Sequence, residues 1–242
     1  DHLIQNLKNK SDLVLHYGDL THSTNLLRII KEIEPDEIYN LGAQSHVRTS
    51  FDIPEFTANV DAIGTLRILE AIRVLNLQKK TKYYQASTSE IYGDPEIHPQ
   101  VESYNGNVNP IGPRACYDEG KRVAESLCIA YREHVGASVR IARIFNTYGP
   151  FMDPNDGRVV SNFIVQALKK EPLTVYGDGK QTRSCCYVDD QVDGLIKLMN
   201  SEYENPINIG NPSEINILEL AEMVGEVTGI DIKIVHNSLP QD

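Results

Sequence analysis

Tyr117 and Lys121 stand four residues apart, at the head of a stretch whose apolar positions Val123, Ala124, Leu127, Ile129 and Ala130 predict a helix. Residues i and i+4 share a helix face, so phenol and ammonium are expected to point into the same space. An ammonium beside a phenol favours the phenolate, so the expectation is a lowered Tyr117 pKa. That makes Tyr117 a candidate general acid or base acting on a hydroxyl. Thr88 and Glu90 form a second pair. They are two apart, so an extended chain running on from the preceding apolar stretch puts hydroxyl and carboxylate on one side. By itself, Tyr-x-x-x-Lys also describes two polar residues on a solvated helix face, and Thr88-Ser89-Glu90 a polar turn.

The elements that must position these groups follow from the hydrophobic pattern. Leu13–Tyr17 reads as a buried strand running into Gly18-Asp19-Leu20, and Thr21 or Ser23 as the cap of a helix over 24–34 that Pro35 ends. Residues 37–41 form a second strand, followed by the loop 42–46 and, after Pro54, one long helix over 57–75. Residues 82–87 form a third strand, which runs into Thr88-Ser89-Glu90. A Pro-, Gly- and Asn-rich loop over 94–114 is long for a plain connection and suggests a functional segment. The Tyr117 helix and a strand over 138–143 follow. After Pro150 the elements shorten: helices over 159–170, 189–199 and 218–227, and strands over 173–176, 207–209 and 232–235.

Strands alternating with helices imply an α/β fold, a Rossmann-like doubly wound parallel sheet. Ligands bind at the carboxyl ends of such strands, where Asp19-Leu20, Gly42–Ser45 and Ser87–Glu90 are expected. Residues 1–150 are expected to form a cofactor-binding domain and 151–242 a smaller substrate-binding lobe, with segments that interleave. The chain has 242 residues, is 40% hydrophobic and carries a net charge of −11, which argues against a nucleic-acid or anionic-membrane partner. No run of 18 apolar residues occurs. The four cysteines, Cys116, Cys128, Cys185 and Cys186, show no C-x-x-C spacing, so no metal site is expected and reduced thiols of a cytoplasmic protein are. The first residue is Asp1, inside a helical pattern (Leu3, Ile4, Leu7), and the expectation is a fragment incomplete at both ends.

Taken together, Thr88-Ser89-Glu90, Tyr117-x-x-x-Lys121 and the stretch around Asn146 resemble the extended short-chain dehydrogenase/reductase family, the NAD-dependent epimerases and dehydratases of nucleotide-sugars. Residues 1 to about 92 resemble GDP-mannose 4,6-dehydratases, through YGDLTHSTNL, EIYNLGAQSHVRTSF, ANVDAIGTLRILEAIR and YYQASTSEIYG. Residues from about 87 to 242 resemble UDP-glucuronate decarboxylases, through NPIGPRACYDEGKRVAE, RIFNTYGP, NDGRVVSNFI and LTVYGDGKQTRS. Both families open on a strand, a Gly-rich turn and a helix whose N-terminus holds the cofactor pyrophosphate; no G-x-x-G-x-x-G stands in this sequence.

The resemblance implies roles residue by residue. Tyr117 would take the proton from the sugar C4 hydroxyl, Thr88 would hydrogen-bond the C4 oxygen, and Lys121 would hold the cofactor ribose. The other cofactor-side positions are Asp19, Leu20, Leu41, Ala43, Gln44, Ser45, Phe56 and Ser87. Asn146, Arg158, Asn162, Tyr176 and Arg183 match the decarboxylase pattern for the UDP part, Arg being a natural bidentate partner for phosphate. With NAD (or NADP) as hydride acceptor, a 4-keto uronate would lose carbon dioxide, giving UDP-xylose from UDP-glucuronate. In the alternative, GDP-mannose 4,6-dehydratase, Glu90 would remove the C5 proton and water would leave from C6. A third reading is a non-catalytic chain that binds a nucleotide-sugar. A homodimer through helices matching 57–75 and 116–134 is also implied. His46 is expected to be a loop residue.

Overall fold

The computed structural model describes residues 13–238, so the helical pattern at Leu3, Ile4 and Leu7 lies outside the described residues. The chain divides into two compact units, Asp1–Ile144 with Leu195–Asn208, and Phe145–Gly194 with Ile209–Asp242.

Unit 1 is built on α1 (Ser23–Ile33), β1 (Glu37–Asn40), α2 (Val47–Asp52), α3 (Pro54–Ala58), α4 (Gly64–Val74), β2 (Lys82–Thr88), α5 (Ala115–Val135) and β3 (Ser138–Ile144). Strands β1, β2 and β3 pair in parallel, Ile38 opposite Tyr83 and Ala86 opposite Ala142. Residues 207–209, called β8 below, complete the sheet order β1-β2-β3-β8. Beyond Lys82 every residue of β2 is buried, as expected of a parallel strand covered on both faces. The core joins Ile30, Ile68, Leu69, Ile72, Tyr83, Cys128, Val139 and Ile141. Inside it lies a small polar network. Asn40 Nδ2 donates to Tyr83 OH and to Gln85 Oε1, 3.0 Å each, and Thr65 Oγ1 donates to Gln85 Oε1 at 3.0 Å.

Three expectations change here. Leu13–Tyr17 is not a strand: it has no ladder partner among the described residues, and Val14, Leu15 and Tyr17 are exposed. An apolar run without a neighbouring strand leaves its backbone groups to water. The helix over 57–75 is not continuous. A π-turn, Asn59–Ile63, separates α3 from α4, and hydrophobic periodicity carries no sign of such an insertion. The cap of α1 is His22 rather than Thr21 or Ser23, and it makes no side-chain capping bond; Asp19 Oδ1 instead accepts from Thr21 N and Oγ1.

Unit 2 contains β4 (Thr147–Tyr148), α6 (Val159–Leu168), β5 (Leu173–Tyr176), β6 (Thr182–Arg183), β7 (Cys186–Tyr187), most of α7 (Val188–Met199), the end of β8 (Ile207–Ile209), β9 (Ile215–Asn216), α8 (Ile217–Thr228) and β10 (Ile234–Asn237). Its core packs Phe163 and Ala167 of α6 and Leu220, Ala221 and Val224 of α8 with Leu173 and Val175 of β5. Strand β10 pairs in parallel with β5, two residues later than the pattern over 232–235 suggests; Ile230 and Ile232, just before it, still pack on the core. The two-residue strands pair β4 with β7 and β6 with β9, and are too short to leave a periodic signal. A capping box sets the start of α8: Asn216 Oδ1 accepts from Glu219 N, and Glu219 Oε2 accepts from Asn216 N.

Candidate active site

Helix α5 carries Tyr117 and Lys121 on its buried face, in the first two turns after Arg114. Gly120 lies between them, and a Cβ built there would stand 3.4 Å from Asp61 Cβ, so the π-turn approaches α5 closely at this point. Lys121 is 3% exposed. Its Nζ donates to Ala86 O at 3.1 Å and lies 5.9 Å from the centroid of the Tyr117 ring. The expectation of a lowered phenol pKa does not hold. Burial pushes Tyr117 up to about 12, and Asp61, Glu90 and Asp118 add to the rise, while a hydrogen bond with Thr88 opposes it. Burial disfavours the charge of Lys121 itself, which Asp61 partly restores.

Thr88 ends β2, and the chain then winds into a 3₁₀ turn, Ser89–Tyr92, instead of continuing extended. Alternation therefore stops at Thr88 and does not place Glu90. Thr88 Oγ1 caps the turn by accepting from Glu90 N at 3.2 Å. The Glu90 carboxylate is turned onto the Arg114 guanidinium, with which it forms an ion pair. Asp118 lies near the same charges; burial raises its pKa to about 6, and Oδ1 is buried without a partner.

On the other side of the site Gln44 is buried, its N–H donating to Asp61 Oδ1 at 2.7 Å and its Nε2 donating to His46 O and to Thr57 Oγ1. Leu20 packs over two glycines: a Cβ on Gly42 would come within 2.8 Å of Leu20 Cδ1, and one on Gly64 within 2.9 Å of Leu20 Cβ. Leu41, Ser45 and Phe56 are exposed, Ala43 partly so. The Ser87 hydroxyl donates to Glu125 Oε1. His46, in its loop, receives the Gln44 side chain on its backbone.

Unit 2 displays the second expected set on its own surface. Arg158 Nη1 pairs with Asp156 Oδ1 at 2.7 Å, Asn162 Nδ2 donates to Gly157 O, and Arg183 Nη1 donates to the neighbouring Thr182 O. Tyr176 is exposed, its carbonyl accepting from Gln181 Nε2. Asn146 O accepts from Cys186 N. Among the described residues no cluster of three or more His, Cys, Asp or Glu could hold a metal ion, and no helix is long and apolar enough to cross a membrane.

Four residues of the site escape motif reading. Asp61 is an acid inside the apolar stripe of ANVDAIGTLR. Arg114 stands three residues before Tyr117. Glu125 lies four after Lys121 and therefore on the same helix face, which was the available signal. Arg143 stands inside an apolar strand and pairs with Glu125.

The architecture and the sequence have close counterparts. A family model described as GDP-mannose 4,6 dehydratase matches residues 1–241. The chain is 51% identical over 210 residues to UDP-glucuronic acid decarboxylase 1 of Xenopus tropicalis, covering 87% of this chain and 49% of that protein. It is 54% identical over 212 residues to UDP-glucuronic acid decarboxylase 3 of Arabidopsis thaliana, covering 87% and 60%. The chain thus spans about half the length of the curated relatives it matches. These alignments are longer than residues 87–242 alone can supply, so the likeness to decarboxylases reaches into the first half as well. The crystal structure of UDP-glucuronic acid 4-epimerase from Bacillus cereus in complex with UDP-glucuronic acid and NAD superposes with a TM-score of 0.80 at 29% identity, covering 98% of this chain and 72% of that one. With a parallel sheet flanked by helices, Lys121 of α5 bonded to Ala86 O of β2, and a family match along nearly its whole length, this chain belongs to the GDP-mannose 4,6 dehydratase family of extended short-chain dehydrogenases/reductases.

Proposed function

We propose that this chain carries the chemistry of a UDP-glucuronate decarboxylase, forming UDP-xylose. The observation that carries the reading is the gathering of Thr88, Tyr117 and Lys121 at the end of β2, in a chain 51% identical to a curated decarboxylase over 210 residues. The donor set fits the ribose of a nicotinamide dinucleotide: Lys121 Nζ has three donors, and Ala86 O occupies one of them. The turn that cradles a pyrophosphate is not among the motifs of this sequence, so the fit is to the nicotinamide–ribose end. Asp19, Leu20, Leu41, Ala43, Gln44, Ser45 and Phe56 are our remaining cofactor-side positions.

When bound, the dinucleotide supplies a hydride acceptor and donor at the sugar C4 and a positive charge beside the phenol. Tyr117 moves the proton of the C4 hydroxyl, and Thr88 holds the C4 oxygen and favours the phenolate. A ketone at C4 lies β to a carboxylate on C5, so carbon dioxide leaves with its bonding pair drawn into the carbonyl. Glu90, held by Arg114, stands on the Thr88 turn for proton transfer at C5. In unit 2, Asn146, Arg158, Asn162, Tyr176 and Arg183 are assigned to the uridine diphosphate. Unit 1 is the cofactor domain in this reading and unit 2 the substrate lobe. Four unpaired cysteines support a reducing, cytoplasmic setting, and the exposed Ile63, Val74 and Val123 support a homodimer through the segments 57–75 and 116–134.

The test is release of labelled carbon dioxide from carboxyl-labelled UDP-glucuronate with added NAD. Release that falls at least about 100-fold in Tyr117→Phe supports the reading. A second reading, GDP-mannose 4,6-dehydratase, is favoured by the family model that spans both halves. Consumption of GDP-mannose to a 4-keto-6-deoxy sugar, with UDP-glucuronate untouched, overturns the first reading for the second.

A further inference from the structure

Asp61 is 1% exposed, and one of its carboxylate oxygens has no hydrogen-bond partner although it is buried. The other oxygen is fixed by Gln44 N at 2.7 Å. A buried, half-satisfied carboxylate is costly unless a charge compensates it. The π-turn, Asn59–Ile63, supplies its placement. The widened turn faces α5 at Gly120, which has no side chain, so an ideal Cβ there stands only 3.4 Å from Asp61 Cβ. Lys121 follows Gly120 in sequence, is 3% exposed, and donates to a neutral carbonyl, Ala86 O. An ammonium met only by a carbonyl and the face of a neutral phenol loses its proton readily in such a buried site. Among the described residues, the titratable groups coupled to Asp61 are Lys121, the Tyr117 phenol and the Cys116 thiol, all on α5. Of these, Lys121 alone offers positive charge.

We propose that Asp61 is a positioning residue, the fixed counter-charge that keeps the Lys121 ammonium protonated within unit 1. The π-turn exists, in this view, to bring that carboxylate to α5. What the ammonium then holds, a ribose hydroxyl, rests on the function proposed above; the pairing itself does not. Burial raises Asp61 to about 6 and Lys121 opposes that rise, which agrees with a coupled pair whose carboxylate is ionised at neutral pH.

The experiment is a pH titration of the chain labelled with carbon-13 at lysine Cε, the Lys121 resonance being assigned by its loss in Lys121→Arg. In Asp61→Asn the Lys121 ammonium is expected to bind its proton at least tenfold more weakly than in the unmodified chain. The reciprocal titration uses carboxyl-labelled aspartate in Lys121→Met, where Asp61 is expected to bind its proton at least tenfold more tightly. This second measurement stands even where Asp61→Asn does not fold. A purely structural Asp61 lowers the melting temperature of Asp61→Asn and leaves the Lys121 titration unmoved. An unmoved midpoint in Lys121, or in Asp61 of the Lys121→Met chain, overturns the proposal. Failure to bind NAD with both midpoints shifted would instead count against the function proposed above.

Discussion

Arg143 and Glu125 face each other across the interior of unit 1 in a two-pronged ion pair, Nε to Oε1 at 3.0 Å and Nη2 to Oε2 at 2.9 Å, with each side chain about one-tenth exposed. The pair is a junction. Ser87 Oγ donates to Glu125 from the end of β2, and Arg143 Nη1 donates to Tyr92 OH and to Glu102 O, each at 2.9 Å. Tyr92 OH in turn donates to Asn208 Oδ1 at 2.7 Å. Strand ends, the 94–114 loop and β8 are thus tied to one buried charge pair. Removing one partner strands the other: Glu125→Gln or Arg143→Met should cost about 3–5 kcal/mol. Urea unfolding measures this, and the paired replacement Glu125→Leu with Arg143→Met should recover much of the loss.

Asp118 makes stability depend on mild acidity. Burial raises its folded-state pKa from 3.8 to about 6, so the folded chain holds this proton more tightly than the unfolded one. The contribution is fully present below pH 3.8 and is lost as pH rises through 6. Each such group accounts for about 2–3 kcal/mol over that window, and Asp61 acts in the same direction. Asp118→Asn should flatten roughly half of the slope, measured as unfolding free energy at pH 4.5, 5.5 and 7.

Gly93 should not accept a side chain. Its φ is +62°, and a Cβ there would sit 2.3 Å from Asn107 O, where Asp94 N donates and Asn107 N returns a bond to Tyr92 O. Gly93→Ala is expected to cost about 2 kcal/mol or more from the left-handed backbone and the clash together. Loss of the melting temperature without loss of helical circular dichroism would place the damage in the loop junction.

Thr88 acts on the phenol. Its hydrogen bond holds the Tyr117 pKa below where burial alone would put it. In Thr88→Val that pKa rises further, so the deprotonated phenol is reached at higher pH. Under the proposed decarboxylase function, the rising limb of the pH–rate profile for carbon dioxide release should therefore move to higher pH, with a drop of about tenfold at pH 7. An unmoved limb together with lower turnover would assign Thr88 to positioning alone.

The regular elements that position Tyr117 and Lys121 were legible, because α5 and β2 have complete periodic patterns and a Tyr-x-x-x-Lys spacing lies on one helix face whatever surrounds it. The charges were not. Tyr117 titrates upward chiefly because it is buried, and Asp61 and Glu90, which add to the rise, come from two other segments whose convergence no local spacing encodes. Glu90 was misplaced for a related reason. Alternation in a strand ends where the ladder ends, and whether the chain goes on extended or winds into a 3₁₀ turn is decided by the Thr88 cap and the Arg114 pairing. The run Leu13–Tyr17 has strand composition, yet a strand is a property of two chain segments, and composition reports one.

The polar cluster beneath the sheet has a consequence for how the molecule assembles. Asn40, on β1, meets Tyr83 and Gln85 of β2 and, through Gln85, Thr65 of α4, only in the register that sets Asn40 opposite Gln85. Sliding β1 by one residue would turn the Asn40 amide away and bury the acceptors unmet, at about 1–3 kcal/mol for each orphaned group. These four side chains therefore act as a proofreading device: they admit one alignment of the first two strands and make every neighbouring alignment unstable, so that the strand end bearing Ser87 and Thr88 arrives at a single height relative to Gly42 and Gln44.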